Sequence, residues 1–391
     1  VIRQRIDPVI FSCALGLMAF GVVMIYSTSN ILALDRYGDQ YYFVKRHVMW
    51  AAIGVGAMLL MARVDVRELR WLAFPLLVVS FLALVSVFIP GVGKAAGGAR
   101  RWIALGPLSV QPAEFAKIGL VFFLAHFLSV KGERLRELKY GFLPPVVFSG
   151  LLLVLVLAQP DLGTAMLIAA VAGLMLFIAG ARWLHLAGCA LLASPVLYWM
   201  IFAVPWRKQR VLAFLDPFAV ARNTGYQLVQ SLLAMARGGI TGTGLGEGKQ
   251  KLFYLPEPHT DFIYAVVGEE LGLIGALAVV VVFAIILYRG MCIAARCTEP
   301  FSALLAAGLT LSVSLQGLFN MSMAAGLVPT TGVPLPMISL GGSSLVTSLA
   351  ALGLLLSVAA GSQSSSTRAG ARADAGKDGP PFFDWPAAEG R

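Results

Sequence analysis

Residues 143–180 read LPPVVFSGLLLVLVLAQPDLGTAMLIAAVAGLMLFIAG, two apolar runs split by QPDLGT, with Asp161 as the one ionisable residue. A helix rises about 1.5 Å per residue and the hydrocarbon core of a bilayer is about 30 Å thick, so ~20 apolar residues cross it. No water in that core satisfies a free amide or carbonyl, which leaves helices, whose backbone bonds are internal, as the way across. The two runs therefore predict consecutive spans over 143–159 and 162–180.

Outward from this pair the pattern repeats. Further spans are predicted at 8–27, 46–62, 71–90, 112–130, 183–204, 262–288, 302–327 and 338–360, ten in all, for an all-α polytopic membrane protein whose transmembrane domain covers 1–360. The chain of 391 residues is 58% hydrophobic and 13% charged, with mean hydropathy +0.82, which excludes a soluble globular domain. The first run lacks a small-residue cleavage pattern and is expected to stay as a span rather than act as a signal peptide.

Net charge is +10, but the basic residues are scattered among short loops rather than gathered in one stripe. That excludes nucleic acid as a partner and favours membrane lipids and phosphate-bearing lipids. Short-loop Lys and Arg favour the cytoplasm, and Arg3, Arg5, Arg63, Arg67, Arg70, Lys131, Arg134, Arg136, Lys139, Arg182, Arg289 and Arg296 then place both termini inside, a moderate bias against Arg36, Lys45, Arg46, Lys94, Arg100 and Arg101 in the opposite loops. Residues 205–261 become one long extracytoplasmic loop. Within it, apolar residues at helical spacing from Tyr226 predict an amphipathic helix, lying in the interface or packed on the bundle. From Gly361 to Arg391 the composition shifts to Ser, Ala, Gly, Arg and Pro, predicting a disordered cytoplasmic tail, with Phe382, Phe383 and Trp385 as a short docking motif or plain tail.

The four cysteines have no CxxC spacing and the four histidines form no HxxxH pair, so no disulfide framework and no zinc site is indicated. Charges at the mouths of spans are costly and mark candidate chemistry. The block GGARRWIALGPLSVQPAEFAK (97–117) brings Arg101, Trp102, Gln111, Glu114 and Lys117 to one membrane surface. Arginine forks suit phosphate oxygens and lysine supplies a compact charge, so the block fits a pyrophosphate grip. It equally fits an interfacial anchor set with a mutually neutralising Glu114 and Lys117. Asp161 and Asp261 both open helices, where capping is the ordinary work of aspartate. Asp261 stands beside His259 and Thr260, and Thr260 is itself a competent cap, which leaves the carboxylate available as a general base. Glu269 and Glu270 follow two turns on. Gly242, Gly244, Gly246 and Gly248 fit no phosphate-loop spacing and read as a flexible turn. Gln316 and Asn320 read as interhelical glue or as the wall of a lipid groove.

GARRWIALG (98–106), QPAEFAK (111–117), QPDLGT (159–164), KLFYLPEPHTDFIYAVVGEELGLIG (251–275) and the 332–344 stretch GVPLPMISLGGSS resemble the SEDS family over about residues 8–360. The division branch is resembled more than the elongation branch, although Leu340 stands where many members have Tyr. The resemblance implies a peptidoglycan glycosyltransferase that polymerises lipid II during septal wall synthesis in the bacterial inner membrane. It implies a class B penicillin-binding protein and other division membrane proteins as partners. By matching position, Asp261 is the catalytic carboxylate, and Arg101, Glu114 and Lys117 are functional positions. Trp102, Gln111, Asp161, His259, Thr260, Glu269 and Ser343 complete the substrate-binding set. No protein-held metal is indicated; a divalent cation, Mg or Mn, is compatible with the pyrophosphate but has no ligand signature in the sequence. An elongation-type polymerase, a lipid II flippase and a non-catalytic scaffold are the competing readings.

Overall fold

The computed structural model describes residues 7–375 except 97, 98, 107, 222, 224 and 253. Each apolar run folds as expected, because helix is the backbone state that satisfies itself in hydrocarbon. In chain order the elements are α1 (Pro8–Tyr37), α2 (Tyr42–Met61), α3 (Ala73–Ser86), β1 (Gly93–Ala96), β2 (Ala99–Leu105), β3 (Leu108–Val110), α4 (Pro112–Lys131), α5 (Leu143–Ala158) and α6 (Leu162–Ile178). Then come α7 (Trp183–Phe202), α8 (Pro205–Leu215), α9 (Tyr226–Gly238), α10 (Ile263–Arg296), α11 (Pro300–Ala324) and α12 (Gly342–Ala375). Among the described residues nine helices are long and apolar enough to cross a membrane, and α6, with 17 residues, is the tenth predicted span.

Local signals explain the helix starts. Asp7 accepts from the amides of Val9 and Ile10 at 3.1 and 3.2 Å and opens α1, while its other oxygen meets Arg289 of α10 at 3.0 Å. Proline opens α4, α5, α8 and α11, where its missing N–H costs nothing. α1 runs ten residues beyond its expected end at 27, to Tyr37. Thr28 and Ser29 return their hydroxyls to the Met24 and Ile25 carbonyls at 2.8 and 2.6 Å, so polar side chains there do not stop the helix.

The core is formed by α4, α11 and α12, whose side chains are largely buried, with α2 along α12 and α10 along α11. Small residues permit the approach: a side chain at Gly308 would meet Met175 of α6 and Val121 of α4, and one at Gly353 would meet the backbone of Met58. α7 is the opposite case, with no buried residue and a proline, Pro195, within it.

Three features depart from the sequence reading. The 93–110 connection is a three-stranded antiparallel sheet, β1-β2-β3, with Lys94 opposite Trp102 and Ile103 opposite Val110. The long loop holds α8 as well as the expected α9, and α9 packs on α10 and α11, burying Leu228, Val229, Ser231 and Ala234. α12 continues as helix to Ala375 where disorder was expected from Gly361, since alanine and arginine extend a helix already nucleated by a span. Residues 376–391, including Phe382, Phe383 and Trp385, lie outside the described residues.

Candidate active site

The sheet, α8 and the segment before α10 meet at one end of the bundle around a cavity of about 560 Å³. β2 supplies Arg101. α8 supplies Arg207 and Arg210, three residues apart and hence on one helical face, with Val211. Leu162 and Met166 of α6, Leu197 and Ile201 of α7 and Phe319 of α11 form apolar wall, and Thr330, Thr331 and Gly332 close the rim. Among the described residues Asp261 is the carboxylate in this lining.

Asp261 is held by its backbone. The Asn320 side-chain amide donates to the Asp261 carbonyl at 2.8 Å and to the Val333 carbonyl at 2.7 Å, and two residues earlier the Leu340 amide donates to the His259 carbonyl at 2.9 Å. Gly332 lies alongside: at φ 74° it adopts a left-handed conformation, and a Cβ there would stand 3.3 Å from Asp261 Oδ2. Burial pushes the Asp261 carboxyl from 3.8 up to about 6, against the lowering pull of Arg101 and Arg210 and with Glu257 and Asp161 adding to the rise. A carboxylate in that range is ionised at neutral pH yet basic enough to take a proton from a hydroxyl as it attacks.

Behind the wall stands a second layer. Asp161 caps α6 by accepting from the Thr164 amide at 3.1 Å, takes the Gln111 side-chain amide at 3.0 Å, and faces Arg101 at 3.8 Å. Its carboxyl is also raised, chiefly by burial, with Arg101 opposing. Ser343 at the start of α12 accepts the Gln111 backbone amide at 3.0 Å, so Ser343, Gln111, Asp161 and Arg101 form one hydrogen-bonded and ionic run toward the cavity.

The remaining predicted residues lie outside the cavity lining. Glu114 and Lys117 pair at 2.9 Å with side chains 2% and 5% exposed. Lys117 also donates to Gln316, whose amide donates to Ser344 at 2.8 Å, and Thr347 donates to Glu114 at 3.3 Å. This closed set pins α4 to α11 and α12, which is the interhelical role expected of Gln316. His259 packs on the Phe43 ring, centroids 4.5 Å apart, with Glu257 at 3.4 Å, and Thr260 donates to the Glu257 carbonyl at 3.1 Å. Trp102 is on β2 opposite Lys94. Glu269 accepts from the amides of Lys249 and Gln250 at 2.9 and 3.2 Å, fixing the loop. Sequence reasoning passed over Arg207 and Arg210; the signal available was their i, i+3 spacing behind Pro205, a helix-opening residue.

Fold and cavity together define a polytopic membrane protein with an ionic, partly apolar cavity at one end of its bundle. The chain belongs to the SEDS family: the Cell cycle protein family of FtsW, RodA and SpoVE matches residues 7–364. It is 45% identical over 355 residues to a probable peptidoglycan glycosyltransferase FtsW of Geobacter metallireducens, covering 91% of this chain and 95% of the relative. It is 39% identical over 354 residues to stage V sporulation protein E of Bacillus subtilis, covering 90% and 96%. Among solved structures, a chain of a peptidoglycan synthase complex described as coordinating polymerization and crosslinking superposes with TM-score 0.76 at 29% identity, covering 91% of this chain and 98% of that one. The rod shape determining protein RodA of Thermus thermophilus superposes with TM-score 0.68 at 27% identity, covering 91% and 97%.

Proposed function

We propose that the chain is a peptidoglycan glycosyltransferase that polymerises lipid II in the bacterial cytoplasmic membrane, with both termini inside, at the septum beside a class B penicillin-binding protein. One observation carries the reading: a single cavity sets a carboxylate of raised pKa, Asp261, among Arg101, Arg207 and Arg210. Asp261 removes the proton from the acceptor GlcNAc 4-hydroxyl. That oxygen bonds to the donor MurNAc anomeric carbon as the bond to the pyrophosphate oxygen breaks on the opposite face, giving inversion and undecaprenyl pyrophosphate. The guanidiniums meet the charge that develops on the leaving phosphates, and the apolar wall from α6 and α7 takes the polyprenyl chain.

Lys117 does not serve the phosphates in this reading, because Glu114 and Gln316 occupy its ammonium. A protein-held divalent cation does not fit either. Among the described residues the cavity wall offers one carboxylate against three arginines, and no three His, Cys, Asp or Glu side chains gather to bind one.

The test is labelled lipid II supplied to the protein purified with its cognate class B penicillin-binding protein. Glycan polymer formed by the native chain and lost in Asp261→Asn at matched folding is expected. Polymer from neither, together with lipid II crossing vesicle bilayers, would replace the polymerase by a transporter. Polymer from both would remove Asp261 from the chemistry.

A further inference from the structure

α10 is one helix by length and two by hydrogen bonding. Gly272 stands at φ 65°, ψ −164°, and the ladder changes partners there. In an unbroken helix the amides of Leu273 and Ile274 donate to the carbonyls of Glu269 and Glu270. Here they donate to the carbonyls of Gly239 and Ile240 at 2.9 and 3.2 Å, while the amides of Thr243 and Gly244 donate to Glu269 and Glu270 at 3.0 Å each. Segment 239–244 is thus inserted into the helix, and the turn expected at Gly242 and Gly244 is a structural joint. A Cβ on Gly242 would run into the Glu270 carbonyl, and one on Gly272 into the Gly242 amide.

A buried ion pair closes the joint. Lys251 Nζ meets Glu270 Oε1 at 2.6 Å with side chains 3% and 0% exposed. Lys251 also donates to Ser27 of α1 at 2.9 Å and to the Gly246 carbonyl at 2.8 Å. Glu270 accepts the Ser27 hydroxyl at 2.7 Å and the Gly246 amide at 3.1 Å. The first segment of α10, Ile263–Leu271, begins two residues after Asp261 and is buried over Ile263–Glu270; beyond the break Leu273, Ile274 and Leu277 are exposed. A continuous helix would carry its own tilt and depth to Asp261. A broken one shares them between the joint at one end and the bonds from Asn320 and Leu340 at the other.

We infer that Lys251 and Glu270 are positioning residues for the transfer reaction: their ion pair, anchored on Ser27, fixes the depth of the helical segment that follows Asp261, and so the reach of its carboxylate to the acceptor hydroxyl. The inference rests on Asp261 acting as the base. Misplacement of a reacting group by about 1 Å costs on the order of 10²-fold in rate. Removing one member of a buried pair leaves an uncompensated charge, whereas removing both is far better tolerated, so folding and positioning are separable.

The experiment measures melting, kcat and KM for lipid II polymerisation in the complex with the penicillin-binding protein, for native chain, Asp261→Asn, Lys251→Met, Lys251→Met with Glu270→Gln, and Ser27→Ala. The single Lys251 variant should melt early. The double variant should recover native melting but keep a kcat reduced on the order of 10²-fold at unchanged KM. Ser27→Ala, which leaves both charges in place but takes one hydrogen bond from each, should melt slightly early and, scaled to its folded fraction, lose about tenfold in kcat, a milder displacement of the same kind. A double variant with native kcat, or Ser27→Ala with native kcat, overturns the positioning role. Polymerisation surviving in Asp261→Asn overturns the base instead, so the two failures read differently.

Discussion

Two groups of charged side chains lie close together at this end of the bundle, and they differ in what surrounds them. Glu114 and Lys117 are sealed among α4, α11 and α12, and their polar atoms meet one another, Gln316 and Thr347. Asp261, Arg101, Arg207 and Arg210 face open space of about 560 Å³. An ionisable residue in a membrane is a functional candidate because it is costly, and its partners within the protein either enclose it fully or, as for Arg101, Arg207 and Arg210, leave one side toward a cavity. Only the second kind has room for a substrate, and the distinction lies in the packing rather than in the residue types.

The largest effect expected from this contrast is at Asp261. Asp261→Asn should reduce polymerisation by about 10²- to 10⁴-fold, the range of a lost general base, with melting unchanged. Lys117→Met should do the reverse, destabilising the fold by roughly 3–5 kcal/mol because Glu114 is left charged and buried, and the pair variant Glu114→Gln with Lys117→Met should recover most of it. Calorimetry or a thermal shift in detergent checks both. A stable Lys117→Met that nevertheless cannot polymerise would break the comparison by placing Lys117 on the substrate.

Within the cavity, Arg210→Ala should lower kcat by about 10²-fold if its guanidinium meets the leaving phosphates, the scale of one lost transition-state donor. The pH profile refines this. With Asp261 at about 6, the rate should fall as pH drops through that value. Arg101 lowers the Asp261 pKa, so Arg101→Ala should move the acid limb to higher pH; Asp161 raises it, so Asp161→Asn should move the limb lower, by less. The same shift bears on stability with a definite sign. The folded chain holds this proton more tightly than the unfolded one, so the contribution of Asp261 to stability declines as pH rises from 3.8 to about 6. Limbs that move the other way would place the active carboxylate elsewhere.

The spans were legible because each has a local signature of about 20 apolar residues. The redundant cap that singled out Asp261 is not formed, because α10 has no side-chain cap and Thr260 donates to the Glu257 carbonyl; the signal for Asp261 was the resemblance of its HTDF stretch. α9 was legible from its apolar spacing. The sheet was not, since strands of 4, 7 and 3 residues carry too little alternation to read. Arg207 and Arg210 were hidden in a charge-dense loop whose short helix, α8, carries an apolar run of five residues, 211–215, too short to stand out beside the spans. Glu269, expected on the substrate, is instead spent on the amides of Lys249 and Gln250, and Lys251 meets Glu270 and Ser27 only through the inserted loop. These are contacts between segments far apart along the chain, set by how α1, α10 and the 239–251 loop interleave, which no spacing within one segment records.

The smallest effect is expected at Gly332, and it probes the cavity without touching a charge. Gly332 sits at φ 74°, a conformation that costs an alanine about 1–2 kcal/mol, and its new methyl would stand 3.3 Å from Asp261 Oδ2. The neighbour must give by a few tenths of an ångström, and the side chain with freedom to move is Asp261. Gly332→Ala should therefore lower kcat severalfold and melt slightly early, while Gly308→Ala, packed against Met175 and Val121, should affect melting alone. Equal loss of kcat in both variants, scaled to their folded fractions, would mean that packing around Asp261 is no more demanding than packing anywhere else in the bundle.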